Sequence, residues 1–226
     1  MMSAILFQRR IGFAFVFSFL AFSAPVFAAP VSLVYNTNQP DFGSFPGVFA
    51  GQWLTQPFTT GANPALFNSA TIYEKTFTTD GNFWLSIYSD NNGAPGSVLT
   101  GGLLNGPSQP TGFSFRTYTA TQAIPLTANT RYWIVAAGDG LALSGGAYGW
   151  ANAANNNYTS PVDWTLGYWG FTQDSGATWS LSENFNPGRL LTAINGTVVP
   201  EPSVATTLLG SLPILLAFRK KRQKQN

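Results

Sequence analysis

The 226-residue chain has no cysteine and no histidine, and only 9% of its residues are charged. Without cysteine there is no disulfide scaffold, thiolate metal site or cysteine nucleophile, so packing and hydrogen bonds alone must hold the fold. Without histidine there is no Ser-His-Asp triad, no imidazole base and no His-ligated zinc or iron. What remains is chemistry by carboxylates, a Lys or a Tyr, or a hard metal held by oxygen. Long helical periodicity is also missing from the middle of the chain, where Gly, Asn, Thr, Ser and aromatic residues dominate.

Positive charge is scarce wherever the chain could fold. The net charge of +2 and the isoelectric point near 9.0 point on their face to a basic protein. Of the 11 Lys and Arg, however, Arg9 and Arg10 precede the first apolar run, and Arg219, Lys220, Lys221, Arg222 and Lys224 close the chain. Residues 30 to 199 keep only Lys75, Arg116, Arg131 and Arg189 against eight acids, a net charge of −4. An acidic body without a basic stripe argues against nucleic-acid binding, because phosphate neutralisation by Lys and Arg supplies most of that affinity.

The ends read as addresses. Residues 1 to 28 combine a basic start, an apolar stretch from Ile11 to Leu20 and small residues around Ala28 and Ala29. This is the three-part form of a secretory signal peptide, with cleavage expected after Ala28; an uncleaved anchor helix is the alternative. At the other end, Val204 to Phe218 is an uncharged run between Pro200-Glu201-Pro202 and the basic cluster. A helix crossing a hydrocarbon core of ~30 Å needs ~20 residues, so this run is short for a permanent span, and Pro213 weakens it further. The cluster sets its orientation, since Lys and Arg stay cytoplasmic.

Pro200, Glu201 and Pro202, then the apolar run, then the tail beginning Arg219, Lys220, Lys221, Arg222, together resemble the PEP-CTERM sorting signal of Gram-negative bacteria. The resemblance implies an integral-membrane exosortase as partner, transient inner-membrane association, removal of the tail, and delivery to the cell surface or extracellular matrix. Signal peptidase would act at the other end. A plain C-terminal membrane anchor is the alternative. An extended Pro-Glu-Pro cannot continue a helix, so it leaves accessible backbone just outside the membrane for a protease.

Residues 30 to 198 form the cargo domain between these signals. Asn82 to Tyr88 alternates, with Phe83, Leu85 and Ile87 on one face and Trp84, Ser86 and Tyr88 on the other. Ser89 to Gly93 then reads as a turn that Ala94-Pro95-Gly96 prolongs. Arg131 to Ala137 is a second clear strand, ended by Gly138-Asp139-Gly140. Weaker strands are expected at 32–35, 51–58, 70–77, 112–118, 146–151, 165–171 and 190–198. Short strands spaced by turns predict an all-β antiparallel β-sandwich of jelly-roll type. Residues 85 to 97 together with 126 to 133 are similar to the choice-of-anchor extracellular modules, type R. That resemblance implies fold and address, and supplies no catalytic residue.

The candidate sites each have a structural counterpart. Asp90-Asn91-Asn92-Gly93 invites calcium at Asp90, or at Asp139, but one carboxylate in a loop lacking EF-hand spacing reads better as a turn. Trp150, Tyr158, Trp164, Tyr168, Trp169 and Trp179 crowd a region rich in Asn, which points to sugar stacking. Most tryptophans of a sandwich are core, and Trp84 and Trp133 are expected there. Glu74, Asp139, Asp163, Asp174 and Glu183 could nominally serve a glycosidase, yet none sits in a recognisable motif. Asn157 and Asn195 begin N-glycosylation patterns that are accidental in a bacterial setting. The expectation is a non-catalytic, cofactor-free surface or matrix protein with a structural or adhesive role in the envelope, biofilm or exopolysaccharide. The rival is a carbohydrate-binding module or carbohydrate-active enzyme using residues 148–179, with extracellular polysaccharide as partner.

Overall fold

The computed structural model describes residues 29–41, 43–77, 81–107, 111–140, 148–181 and 188–199. The leader at 1–28, Glu183, and Pro200, Glu201, Pro202, Arg219, Lys220, Lys221 and Arg222 of the tail lie outside the described residues. The strands in chain order are β1 (Val31–Tyr35), β2 (Gly47–Val48), β3 (Trp53–Thr59), β4 (Ala65–Thr76), β5 (Phe83–Asn91), β6 (Ala94–Leu104) and β7 (Gly112–Leu126). They continue with β8 (Arg131–Gly138), β9 (Tyr148–Trp150), β10 (Thr165–Leu166), β11 (Gly170–Thr172), β12 (Ser180–Leu181) and β13 (Thr192–Val198).

These strands make two antiparallel sheets. In the first, β1, β13, β4 and β7 lie side by side; β9 continues along the β13 side of β4, and β2 flanks β9. The second runs β12-β11-β3-β8-β5-β6, with β10 also on β3. Period-two alternation decides what each face carries. Leu33, Phe67, Ile72 and Ile194 of the first sheet meet Leu54, Phe58, Leu85, Ile87 and Ile134 of the second, and each is at most 1% exposed. Burying each of these side chains contributes about 1.5–3 kcal/mol, which replaces the disulfides that the chain lacks.

The alternation expected for Phe83, Leu85 and Ile87 is the one observed, with this face inward. The break after Gly93 is not. Asn92 and Gly93 both have positive φ, 53° and 88°, so the turn is a two-residue hairpin loop and β6 resumes at Ala94. Pro95 and its neighbouring glycines read as a break, but β6 is the edge of its sheet, where a missing N–H is tolerated. Trp84 and Trp133 also differ from expectation. They lie in alternate phase to Leu85 and Ile134, on the outer face of the second sheet, where Trp133 is nevertheless only 2% exposed.

Both described ends of the chain leave the same pole. Val31 pairs with Gly196, and the Val199 N–H donates to the Pro64 carbonyl at 2.9 Å. Gly196 sits in a bulge where an added Cβ would lie 2.2 Å from the Leu66 carbonyl oxygen, so only glycine lets β13 approach β4 there. The other pole holds Thr76, Gly112 and Tyr148. The length of β4 puts it ~36 Å away.

Candidate functional site

The six aromatic residues expected to stack on sugars are distributed between core and surface. Trp150 is fully buried and donates its indole N–H to the Leu191 carbonyl at 3.0 Å. Trp164 is 2% exposed and stacks on Phe58, with centroids 5.6 Å apart and planes 6° from parallel. Neither presents a ring face to a ligand; both are packing residues of the core. Tyr158 and Trp169 are half-buried against the same core, and Trp169 packs on Phe171. Tyr158 and Tyr168 hold the Arg189 guanidinium between them, at 5.0 and 4.7 Å. Arg189 Nε also donates to the Leu166 carbonyl at 2.7 Å, which fixes this loop.

Tyr168 and Trp179 do reach open hollows on the outer face of the second sheet. The first hollow, about 390 Å³, is lined by Pro57, Thr59, Arg131, Trp133, Thr165 and Tyr168 among others. The second, shallower and about 620 Å³, lies between the β5–β6 turn and the β11–β12 hairpin, with Asp90, Ser97, Thr178 and Trp179 on its walls. A volume of this order admits a small sugar, with rings for its apolar face and hydroxyls for its polar edge.

Nothing in either hollow is arranged for glycoside hydrolysis. The first has no carboxylate among its lining residues. In the second, Asp90 already accepts from the Trp133 indole N–H at 2.8 Å and from the Gly93 N–H at 3.0 Å. It therefore caps the turn and ties it to β8. Asp139 accepts from the backbone and side-chain amides of Asn82, which hold its carboxyl below the usual range. Asp90 and Asp139 flank opposite ends of β8, ~20 Å or more apart, so they cannot share a cation. Among the described residues no three acidic side chains gather around a point.

Asp174 and Glu74 are equally committed. Asp174 accepts from the hydroxyls of Thr172 and Thr178 and, at 2.9 Å, from the Thr178 N–H. These bonds pull its pKa down to about 2 and shape the hairpin that carries Trp179. Asp163 is an exposed loop residue with φ of 57°. Glu74 is fully buried between the sheets, bonded by the Tyr118 hydroxyl and paired with Arg116 at 2.9 Å. Desolvation raises its pKa, against the lowering effects of Tyr118 and Arg116. It lines neither of the two hollows described above. Asn157 is exposed, whereas the Asn195 side chain accepts from Ser32 Oγ at 2.8 Å.

The sequence reading passed over one exposed aromatic cluster, on the other sheet. Phe113 and Phe115 of β7 are 47% and 49% exposed, and they stand with Tyr73, Lys75 and Phe45 on the outer face. Their signal was the phase of 113–118, since Arg116 and Tyr118 are the buried positions there. Compared with protein-family models, curated proteins and solved structures, the chain matches none of them.

Proposed function

We propose that the chain is an exported, non-catalytic surface protein, sorted by an exosortase and structural or adhesive in an envelope or exopolysaccharide matrix. The observation that carries this reading is the shared pole of the two ends: Val31 beside Gly196, with Val199 three residues further on. The pole that carries Val31 and Val199 faces the membrane on this reading, and the remaining surface of the sandwich faces outward. On this reading residues 200–202 are the recognition triplet, 204–218 is held briefly in the inner membrane, and the basic tail stays inside. The cargo is a jelly roll. Support for that comes from the eight long strands β1, β3, β4, β5, β6, β7, β8 and β13, which interleave as first-eighth-third-sixth and second-seventh-fourth-fifth in the two sheets. Protease treatment of intact producing cells tests the location: degradation of the domain supports it, and full protection until lysis contradicts it.

A carbohydrate-binding module is the second reading, favoured by Tyr168 and Trp179 on the two outer hollows. On a glycan array, saturable binding lost on Tyr168→Ala or Trp179→Ala would support it.

A further inference from the structure

Asparagine followed by glycine occurs three times in the chain, at Asn92-Gly93, Asn105-Gly106 and Asn195-Gly196. This pair carries its own chemistry. The glycine nitrogen attacks the asparagine Cγ, and a residue without Cβ leaves that approach open. A C–N bond forms, the glycine N–H proton passes to Nδ2, and ammonia leaves a succinimide ring behind. Water then opens the ring at either carbonyl, giving aspartate, or isoaspartate with the backbone routed through the side chain. For the ring to close, the peptide plane between the two residues must turn toward the asparagine side chain. Whatever grips that plane or that side chain therefore sets the rate.

Two of the three pairs are gripped on both counts. Asn195 lies within β13, between β1 and β4, and its side chain bonds to Ser32 Oγ at 2.8 Å, Ser69 Oγ at 3.2 Å and Thr71 Oγ1 at 3.4 Å. The Asn105 carbonyl accepts from the Thr119 N–H at 2.9 Å, and the Asn105 N–H donates to the Thr119 carbonyl at 2.8 Å. Gly106 lies so close to the Tyr118 ring that an added Cβ would come within 2.3 Å of it. Asn92 differs. It stands with Gly93 at the tip of the β5–β6 hairpin, exposed and outside the strand pairing. Among the described residues no backbone bond reaches its carbonyl, and its side chain bonds only to Asn91 Oδ1, at 3.5 Å. Its φ of 53° belongs to a region that side chains disfavour, so turning away from it meets little resistance. The one hold on this peptide is at the nucleophile itself: the Gly93 N–H donates to Asp90 Oδ2 at 3.0 Å.

We propose that Asn92 is the site at which the folded chain deamidates, and that Asp90 sets the rate by holding the Gly93 N–H. The product alters the face around it. Gly93 lines the first outer hollow, and Asn91 and Ala94 line the second. Isoaspartate lengthens the backbone of a two-residue loop whose length fixes the pairing of Asn91 with Ala94. Either product adds a carboxylate to the turn that Arg131 approaches, its Nη1 3.6 Å from where a Gly93 Cβ would stand. The proposal goes beyond the surface-protein reading and does not depend on it. The test holds the full chain at mildly alkaline pH, with and without denaturant, then digests it, weighs the peptides and assays isoaspartate with an isoaspartyl methyltransferase. In the folded chain the amide-to-acid mass change is expected at Asn92 alone, with Asn105 and Asn195 reacting only in denaturant. Asp90→Ala should speed the reaction at Asn92 about tenfold, the worth of one charge-assisted hydrogen bond. Reaction still confined to Asn92 shows that this variant is folded. Asp90 also accepts from the Trp133 indole. Trp133→Phe removes that tie, keeps the Gly93 bond, and should leave the rate unchanged. No product at Asn92 in the folded chain, or product first at Asn105 or Asn195, would overturn the proposal. So would an Asp90→Ala rate no higher than the native one, or an equal rise in Trp133→Phe.

Discussion

Replacing Arg116 by methionine strands Glu74 inside the sandwich. In the native protein the Glu74 carboxylate is 0% exposed, 2.9 Å from the Arg116 guanidinium and bonded by Tyr118. Removing one partner of a buried pair leaves an uncompensated charge and costs about 3–5 kcal/mol. For a domain of this size each kcal/mol shifts the midpoint by about 2–4 °C, so Arg116→Met is expected to melt roughly 6–20 °C lower at neutral pH. Replacing both partners, Glu74→Gln with Arg116→Met, removes the charge itself and recovers most of the loss. Denaturant unfolding followed by tryptophan fluorescence measures both variants.

The same pair has a signed pH dependence. Burial is the largest influence on Glu74 and raises its pKa above the ordinary 4.5, so the folded state holds this proton more tightly than the unfolded state. The penalty for the charged form is therefore absent below about 4.5 and grows as pH rises through the folded value. The deficit of Arg116→Met should shrink as pH falls toward 4.5, and the double variant should lack this dependence. A loss for Arg116→Met below about 1 kcal/mol at pH 7, or one that does not change with pH, would refute the reasoning.

Three further outcomes follow from the geometry. Trp164→Ala should destabilise the fold by about 3–5 kcal/mol, whereas Trp179→Ala should stay within about 1 kcal/mol; equal effects in denaturant unfolding would contradict their placement. Gly196→Ala drives a Cβ to 2.2 Å from the Leu66 carbonyl and should cost about 1–3 kcal/mol by thermal unfolding, and a neutral result would show that the bulge yields. Asp174 should titrate by carbon-detected NMR with a midpoint near 2, so that its support of the hairpin is present above 3.8 and lost as pH falls toward 2; a midpoint near 3.8 would mean that the threonine bonds do not form in solution.

Strands were legible where hydrophobic alternation was clean, as in 83–88 and 131–137, and this sufficed for the fold class. They were hidden where a local signal outweighed the pattern. In β6, Pro95 and the glycines read as a break because the sequence does not announce that the strand lies at an edge. The candidate site was less legible, for a related reason. Aromatic residues mark both cores and contact surfaces, and only strand phase separates them. Trp150 and Trp164 fell on inward positions, while Phe113 and Phe115 fell outward because Arg116 and Tyr118 took the inward phase of β7. A charged residue in the inward phase is legible only once its partner, Glu74 on the neighbouring strand, is known to lie beside it.

The central claim is that the C-terminal hydrophobic segment is a temporary handle and not a lasting anchor. The intact mass of the protein recovered from producing cells tests this most directly, against the 24.3 kDa of the full chain. The account predicts a species lacking residues 1–28 and everything beyond the region of Pro200 to Pro202, with or without an added group. A mass that still includes Phe218 and the basic residues after it, in protein held in the cytoplasmic membrane, would contradict it.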